Sequence, residues 1–557
     1  MDVLVVGAGG AGLRAAIEAE RSGAKATMVC KGGFPSGCTP LAMGAMQAVY
    51  DPRDTPDIHF KDTIIGGRLI NDQILVRKLV DQATKLAQEL EEFGTVFQKE
   101  DGKYKPFTFG GYSYPRAIVA SETYAGGFVR GLVNKVLELK IEVIEKTVIT
   151  RLLTQNDTVV GATGFNLETG DFVVLKAKSV VLATGGAGCL YPLTTNPQDV
   201  TGDGYAMAYR IGAELMDMEF IQTRACILHP PTLRGRPPPA DGLGTVGGRF
   251  YNGRGERYMK KYEPAKGEKV TRDLISIFTY KEIKEGRGTP NGGVYNDLSG
   301  VPEGELKRFQ SFLKACSAAG IDPTWQPLEW APGVHHFMGG VRINEEAETT
   351  INGLFACGEV AAGVHGANRM AANALTDVLV FGATAGKFAA QKAITKTSPK
   401  IDEKQIKLEK ERIFNIYERD EGEDFKQIRT KTQNIMNNSV GVIRREDELR
   451  RAMTELERIN THHLYIAGKK NYRELNKLLE TINFIQTGKL IAQAALMRTE
   501  SRGAHYREDF PKENNEKWLS NIIIRLQNGK LTLETKPVIL SKLRPPQNFG
   551  SLNKEKI

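Results

Sequence analysis

The 557-residue chain contains no run of about 18 apolar residues, so no segment of it reads as a helix that crosses a bilayer. Cysteine is sparse. Its 6 positions (Cys30, Cys38, Cys189, Cys226, Cys316 and Cys357) are scattered, with none at metal-knuckle or redox spacing, which argues against a disulfide framework, a zinc finger or an iron–sulfur cluster within this chain. Only 8 histidines occur, two of them adjacent in VHHFMGG (334 to 340). The net charge of +9 lacks the basic runs interleaved with aromatics that mark a nucleic-acid surface, and beyond residue 400 lysine and arginine alternate with acids. A solvated surface is expected, with an acidic small substrate as a second use of the charge. The opening MDVLVV has no basic start, apolar middle or small-residue cleavage site, so a cytoplasmic location is expected. Repeats and low-complexity tracts are absent from the sequence.

What is present points to nucleotide chemistry. With 58 glycines and 41% hydrophobic residues the chain can fill roughly three or four compact units. Residues 2 to 31 read strand, glycine turn, helix, strand: DVLVV, then GAGGAG (7 to 12), LRAAIEAERSG and AKATMVC. In G-x-G-x-x-G the first glycine allows the turn, the second admits a pyrophosphate against bare backbone, and the third lets helix and strand pack closely. Phosphate then sits at the positive helix N-terminus. The acid expected at the end of the second strand for a nicotinamide cofactor's ribose is replaced by Cys30 and Lys31, which weakens the nicotinamide reading.

Similar strand-to-glycine turns at SVVLATGGAG (179 to 188) and GLFACGEV (353 to 360) predict a single nucleotide-binding domain that is discontinuous in sequence. The stretch from about 225 to 333, rich in proline and glycine, reads as an inserted cap, with RGRPPPADG (234 to 242) a loop. From about 398 to 500 apolar residues recur at three and four within charged segments, as in amphipathic helices. The tail holds NIIIRLQNGKLTLETKPV, a hairpin with Asn-Gly at its turn. If 334 to 341 is a strand, neighbouring side chains face opposite sides, so His335 and His336 do not readily share one metal, and no further ligand motif accompanies them.

GAGGAG, ATGGAG, TGDGYAMAYRIGA (201 to 213), NGRGERYM (252 to 259), HHFMGG, GLFACGE, GANRMAANALTDVLVFG (366 to 382) and TESRGAHYREDFP (499 to 511) together resemble the flavoprotein subunits of the succinate dehydrogenase and fumarate reductase family. The likeness covers nearly the whole chain and extends to L-aspartate oxidase and the α subunit of adenylylsulfate reductase. It implies an α/β fold: a Rossmann-like FAD-binding domain (1–223 and 334–395) interrupted by an α+β capping domain (224–333), then a helical domain (396–500) and a C-terminal region (501–557). It also implies FAD as cofactor, a small anionic substrate and, as partner, an iron–sulfur electron-transfer subunit, with membrane contact only through partners. By resemblance Gly7, Gly9 and Gly12 hold the FAD pyrophosphate and Glu359 a polyol hydroxyl. Lys31, Thr39, Gly185, Asp203, Asn373 and Leu375 complete the cofactor set. Where succinate dehydrogenases attach FAD through a histidine, this chain reads Gly37-Cys38-Thr39, so non-covalent FAD is expected.

The same resemblance places His335 and Arg369 on a substrate carboxylate, Arg369 by its planar fork of donors. His336 stands where the family has a tyrosine. A proton-delivering arginine, sought in R-D-x-x-x-R, is expected to be lost, because RDLISIF (272 to 278) has Ile277 at its last position. A family threonine and glutamate align with Ala240 and Asp241, and a further substrate histidine with Arg224, His229 lying a few residues on. Arg224, Asp241 and Tyr251 are therefore candidate replacement acids, and the loop 234 to 248 a candidate gate. Three functions follow: a dehydrogenase or reductase of a small carboxylate, an adenylylsulfate-reductase-like α subunit, and a non-catalytic electron carrier.

Overall fold

A computed structural model describes residues 1–123, 126–239, 243–397 and 399–544. The elements used below are β1 (Val3–Val6), α1 (Gly10–Arg21), β2 (Ala26–Val29), β3 (Glu142–Ile144), β4 (Ser179–Leu182), α2 (Asp203–Arg210), β5 (Ile221–His229), β6 (Arg249–Tyr251), α3 (Arg272–Glu282), β7 (Val294–Asp297), β8 (Leu328–Phe337), β9 (Leu354–Ala356), α4 (Asn373–Ile394) and α5 (Tyr472–Met497).

Four-residue apolar runs such as VLVV and SVVL are buried on every residue, as expected of strands covered on both faces. They assemble into a parallel sheet of order β9–β4–β1–β2–β3, with Val3 facing Ser179 and Ala26, and Val180 facing Leu354. The three glycine turns that lie far apart in sequence thus end three adjacent strands. Helices α1 and α4 pack on one another over small residues: a Cβ on Gly386 would lie 2.1 Å from the Ala15 carbonyl oxygen.

The inserted segment carries its own antiparallel sheet, β5–β8–β7–β6, with α3 packed on it. Its two long strands, β5 and β8, run from the nucleotide-binding body into the cap. The helical region follows, with Asp402 and Asp424 capping its first two helices. The C-terminal hairpin (Ser520–Gln527 and Lys530–Pro537) turns at Asn528-Gly529, both at positive φ of 51° and 73°, and joins a sheet of the nucleotide-binding body where Ile524 faces Leu215. This is the expected α/β body with an inserted cap, a helical region and a C-terminal extension. No helix among the described residues is long and apolar enough to cross a membrane.

Candidate functional site

One cavity runs from the β1–α1 turn to the interface between the parallel-sheet body and the cap. At its first end Gly7 has φ +117°, and a Cβ there would meet the Ala183 carbonyl oxygen at 2.3 Å, so glycine is required. Gly9, Gly10 and Ala11 continue the wall. Gly9 offers α1 no side-chain cap; Thr39 from a separate segment accepts the Gly10 amide at 3.2 Å. Gly12 lies off the cavity, and a Cβ there would lie 2.0 Å from the Gly7 carbonyl oxygen, the close helix-to-strand packing expected of the third glycine.

Lys31, Thr39, Gly185, Asp203, Glu359 and Leu375 all line the cavity. The Lys31 ammonium sits between Asp203 at 2.7 Å and Glu480 at 2.9 Å. This ties the end of β2 to α2 and to α5 of the helical region. The Asn373 side chain turns into the protein, where its amide meets His59 Nε2 at 3.0 Å and Thr63 Oγ1 at 3.1 Å, while the next residue, Ala374, lines the cavity. A helix turns about 100° per residue, so one step decides which side chain faces in.

At the other end stand His335, His336, Arg224, Arg272 and Arg369. The expected strand alternation of the histidine pair fails for an identifiable reason. Gln222 pairs with His336 and Thr223 with Val334, leaving His335 as the extra residue of a β-bulge, so both imidazoles reach the cavity. His335 Nδ1 lies 2.6 Å from Thr195 Oγ1, and His336 Nδ1 lies 3.7 Å from Glu359 Oε2. Among the described residues no group of three or more His, Cys, Asp or Glu is placed to hold a metal.

Burial first, then Arg224, Arg369 and Arg272, holds the His335 imidazolium well below its usual range. Burial and Arg369 do the same for His336. Both rings are therefore neutral, and the positive charge of this end belongs to the guanidinium groups. Arg369 Nη2 donates to Gln222 Oε1 at 2.9 Å, and Arg272 Nη1 reaches the same oxygen at 3.4 Å. Arg224 Nη2 donates to the Pro238 carbonyl at 3.0 Å, which ties it to the proline loop, and Pro237 of that loop is on the wall.

The reading of Ile277 is corrected. It is 1% exposed and packs in the cap core with Phe250, Tyr258 and Trp330, away from the cavity, whereas Arg272 lines the cavity. Five residues along a helix is a turn of about 140°, so both cannot face one side. Tyr251 and His229 also lie off the cavity, His229 exposed. Ala240 and Asp241 lie outside the described residues. Arg272, His336, Thr195, Gln222 and Ala374 were absent from the site expected from sequence. The helical phase of RDLISIF was the signal for Arg272, and the bulge left no signal.

Glu359 is largely buried beside this end; desolvation raises its carboxyl to about 7, opposed by the Phe337 amide, which donates to Oε1 at 2.9 Å. The Cys38 thiol on the wall is likewise pushed well up by burial and by Glu359.

Residues 2–375 match the family model described as FAD binding domain, and residues 429–549 that described as fumarate reductase flavoprotein C-term. The chain is 39% identical over 533 residues to one of the subunits of fumarate reductase (CoM/CoB) from Methanothermobacter marburgensis, covering 94% of this chain and 96% of that one. Among solved structures a variant quinol fumarate reductase of E. coli superposes with a TM-score of 0.90 at 30% identity, over 98% of each chain. Adenylylsulfate reductase of Archaeoglobus fulgidus superposes with a TM-score of 0.81 at 22% identity, over 97% of this chain and 96% of that chain, a likeness of fold alone. The cradle fits the cofactor these matches imply: glycines at 7 and 9 leave bare backbone at the start of α1. Thr184 Oγ1, Asn196 Oδ1 and Asp199 Oδ1 are buried wall atoms without a hydrogen-bond partner among the described residues.

Proposed function

Since the chain belongs to the flavoprotein family of fumarate reductases and succinate dehydrogenases and is an FAD-dependent oxidoreductase, we propose that it interconverts fumarate and succinate, or a close dicarboxylate pair, and exchanges electrons with an iron–sulfur partner subunit. The observation that carries this reading is the convergence of Arg224, Arg272 and Arg369 with two neutral imidazoles at the cap end of the FAD cavity. A dianion matches such a wall in charge, and planar carboxylates match guanidinium forks in shape.

Bound FAD supplies the two-electron step, as hydride to one alkene carbon of the substrate. The chain does the rest. Gly7 and Gly9 leave backbone bare to the pyrophosphate, and Lys31, Thr39, Gly185, Asp203, Glu359 and Leu375 complete the cofactor's wall. Arg369 holds one carboxylate, oriented by Gln222. His335, held by Thr195, presents Nε2–H to the same anion when Thr195 donates to Nδ1. Arg224 takes the second carboxylate. Arg272 is the proton donor: Arg369 and Arg224 are taken up by the two carboxylates and Glu359 by the cofactor's wall, which leaves Arg272 as the cation of this end that those tasks do not engage, and the carbon left by hydride addition is basic enough to take a proton from it. Asp241 remains a candidate to resupply that proton. The 234–248 loop stays the candidate gate: Pro238 holds Arg224 through its carbonyl and Pro237 lies on the cavity wall, so a movement of this loop would be felt at the substrate end. FAD is held non-covalently, the raised Cys38 thiol being a poor nucleophile. Acid precipitation is expected to release the flavin.

The test is anaerobic. Chemically reduced protein is mixed with fumarate while the flavin spectrum is followed, and oxidised protein with succinate. Rapid reoxidation by fumarate supports the reading; a reduced flavin unmoved by fumarate, yet reoxidised by a dye, removes it.

A further inference from the structure

A second cleft lies behind the FAD cavity, between the strand Thr147–Gln155, the C-terminal end of α2, the helix Glu403–Glu418 and α5. Met207 lines both spaces, so the two share a wall. Arg151, Arg210, Arg412 and Arg419 line the cleft, and Glu409 is the single carboxylate among its lining residues. Glu409, its side chain 2% exposed, is held by Arg412 through Nε at 2.8 Å and Nη2 at 2.7 Å, with Arg151 Nη1 at 4.0 Å. Arg419 Nη1 donates to the Leu464 carbonyl at 2.6 Å and Arg210 Nη2 to Asn483 Oδ1 at 2.5 Å, both neutral acceptors, with Asp203 a further carboxylate that acts on Arg210. Arg151 Nε is buried without a hydrogen-bond partner among the described residues.

Four guanidinium groups around one carboxylate leave the cleft strongly positive, and a concave, partly dry wall concentrates that field on whatever enters. Burial, and next the neighbouring Arg412, pushes the Arg210 guanidinium down to about 10, the response of a cation crowded by like charge. A single carboxylate ligand would leave charge over; a phosphate group brings up to two negative charges and three acceptor oxygens, which arginine forks match.

We propose that this cleft is a second ligand site, distinct from the FAD cavity, that takes a small phosphate-bearing anion on Arg151, Arg210 and Arg412. The site communicates with the cofactor. Arg210 is bonded to Asn483, whose Nδ2 donates to Asp203 Oδ1 at 2.7 Å, and Asp203 pairs with Lys31 on the FAD cavity wall. A phosphate drawing Arg210 outward pulls on that path, so occupancy alters how the protein holds FAD, independently of which substrate is reduced.

The experiment is calorimetric titration of the FAD-loaded protein with pyrophosphate, ADP or succinate, at low and raised salt, alongside the rate of flavin release. Saturable binding of pyrophosphate that weakens with salt, falls at least about tenfold in both Arg151→Gln and Arg210→Gln, and changes the flavin release rate is the expected result. Tighter binding of ADP than of pyrophosphate identifies a nucleotide as the source of the phosphate, and the reverse an inorganic one. Arg151→Gln changes a half-exposed residue, so it keeps the test open if Arg210→Gln does not fold. No saturable pyrophosphate binding up to about 1 mM, equal binding by the variants, or equal binding of succinate overturns the proposal.

Discussion

Arg369 Nη2 donates to Gln222 Oε1 at 2.9 Å. Both residues are buried, and Gln222 Nε2 is itself fixed by Asn368 Oδ1 at 2.9 Å and the Arg369 carbonyl at 2.8 Å, so the guanidinium is aimed by an amide with almost no freedom. Arg369→Ala is expected to lower kcat/KM for the carboxylate substrate by about two orders of magnitude or more, because a charge-assisted pair in a closed site is lost. Gln222→Leu keeps the cation and loosens its aim, so KM is expected to rise about tenfold with FAD content unchanged. Steady-state kinetics on FAD-saturated protein decide it; an Arg369→Ala enzyme with ordinary kcat/KM removes the clamp.

Arg272 and Ile277 separate proton delivery from packing. Arg272→Gln is expected to cut kcat by on the order of 100-fold or more with a small change in KM, since the substrate is still bound by Arg369 and His335. Ile277→Val is expected to cost about 1 kcal/mol of stability and to leave turnover alone. A turnover defect in Ile277→Val, with none in Arg272→Gln, reverses the assignment.

Much of this architecture was legible in the residues. The three glycine turns predicted one discontinuous sheet, and the Asn-Gly pair a hairpin, because each demands a backbone that few other residues adopt. The helix faces were less legible. The motif alone puts the relay position at Ile277 and leaves Arg272 without a role, and it names Asn373 where the side chain of Ala374 lines the cavity, differences of phase that an apolar pattern resolves only when both faces of the helix differ. The bulge at His335 is set by pairing between strands more than a hundred positions apart, which local sequence does not encode. The arginines of TESRGAHYREDFP carry a family likeness and no visible role in the sequence. In the structure Arg502 and Arg507 are buried, Arg502 on Glu500 at 2.6 Å, and Arg498 just before the segment is buried on Glu219 at 2.6 Å, so Arg498 ties this stretch to the chain just before β5.

Thr195→Val removes the hydroxyl 2.6 Å from His335 Nδ1 and leaves the ring in place. The imidazole then loses its preferred tautomer and orientation, and kcat/KM is expected to fall about tenfold while FAD content and melting temperature hold. If melting temperature falls and kinetics do not change, Thr195 serves packing alone.

Lys31→Met leaves Asp203 and Glu480 facing each other without their shared cation. Breaking a buried ion pair by removing one member costs roughly 3–5 kcal/mol, because a buried charge remains uncompensated. The variant is expected to unfold at markedly lower urea and to lose flavin on gel filtration. Lys31→Met combined with Glu480→Gln should recover part of the loss; no recovery means the lysine acts on FAD alone.

Asp377 gives the fold a pH dependence of known sign. Burial raises its carboxyl to about 7, outweighing the opposing pull of Arg369, so the folded protein prefers the protonated form that the unfolded chain gives up near its ordinary 3.8. Between those values the folded state binds the extra proton, and stability contributed by this group falls as pH rises, levelling off above about 7. Asp377→Asn keeps the shape and never ionises. Relative to the parent, it is expected to be equally stable near pH 4 and increasingly more stable toward about pH 8, in urea unfolding of the FAD-loaded protein. A difference that stays constant across that range means Asn changes packing or hydrogen bonding only. Growth of the difference with pH identifies the buried carboxylate on α4 as a cost that the folded protein carries in its ionised form.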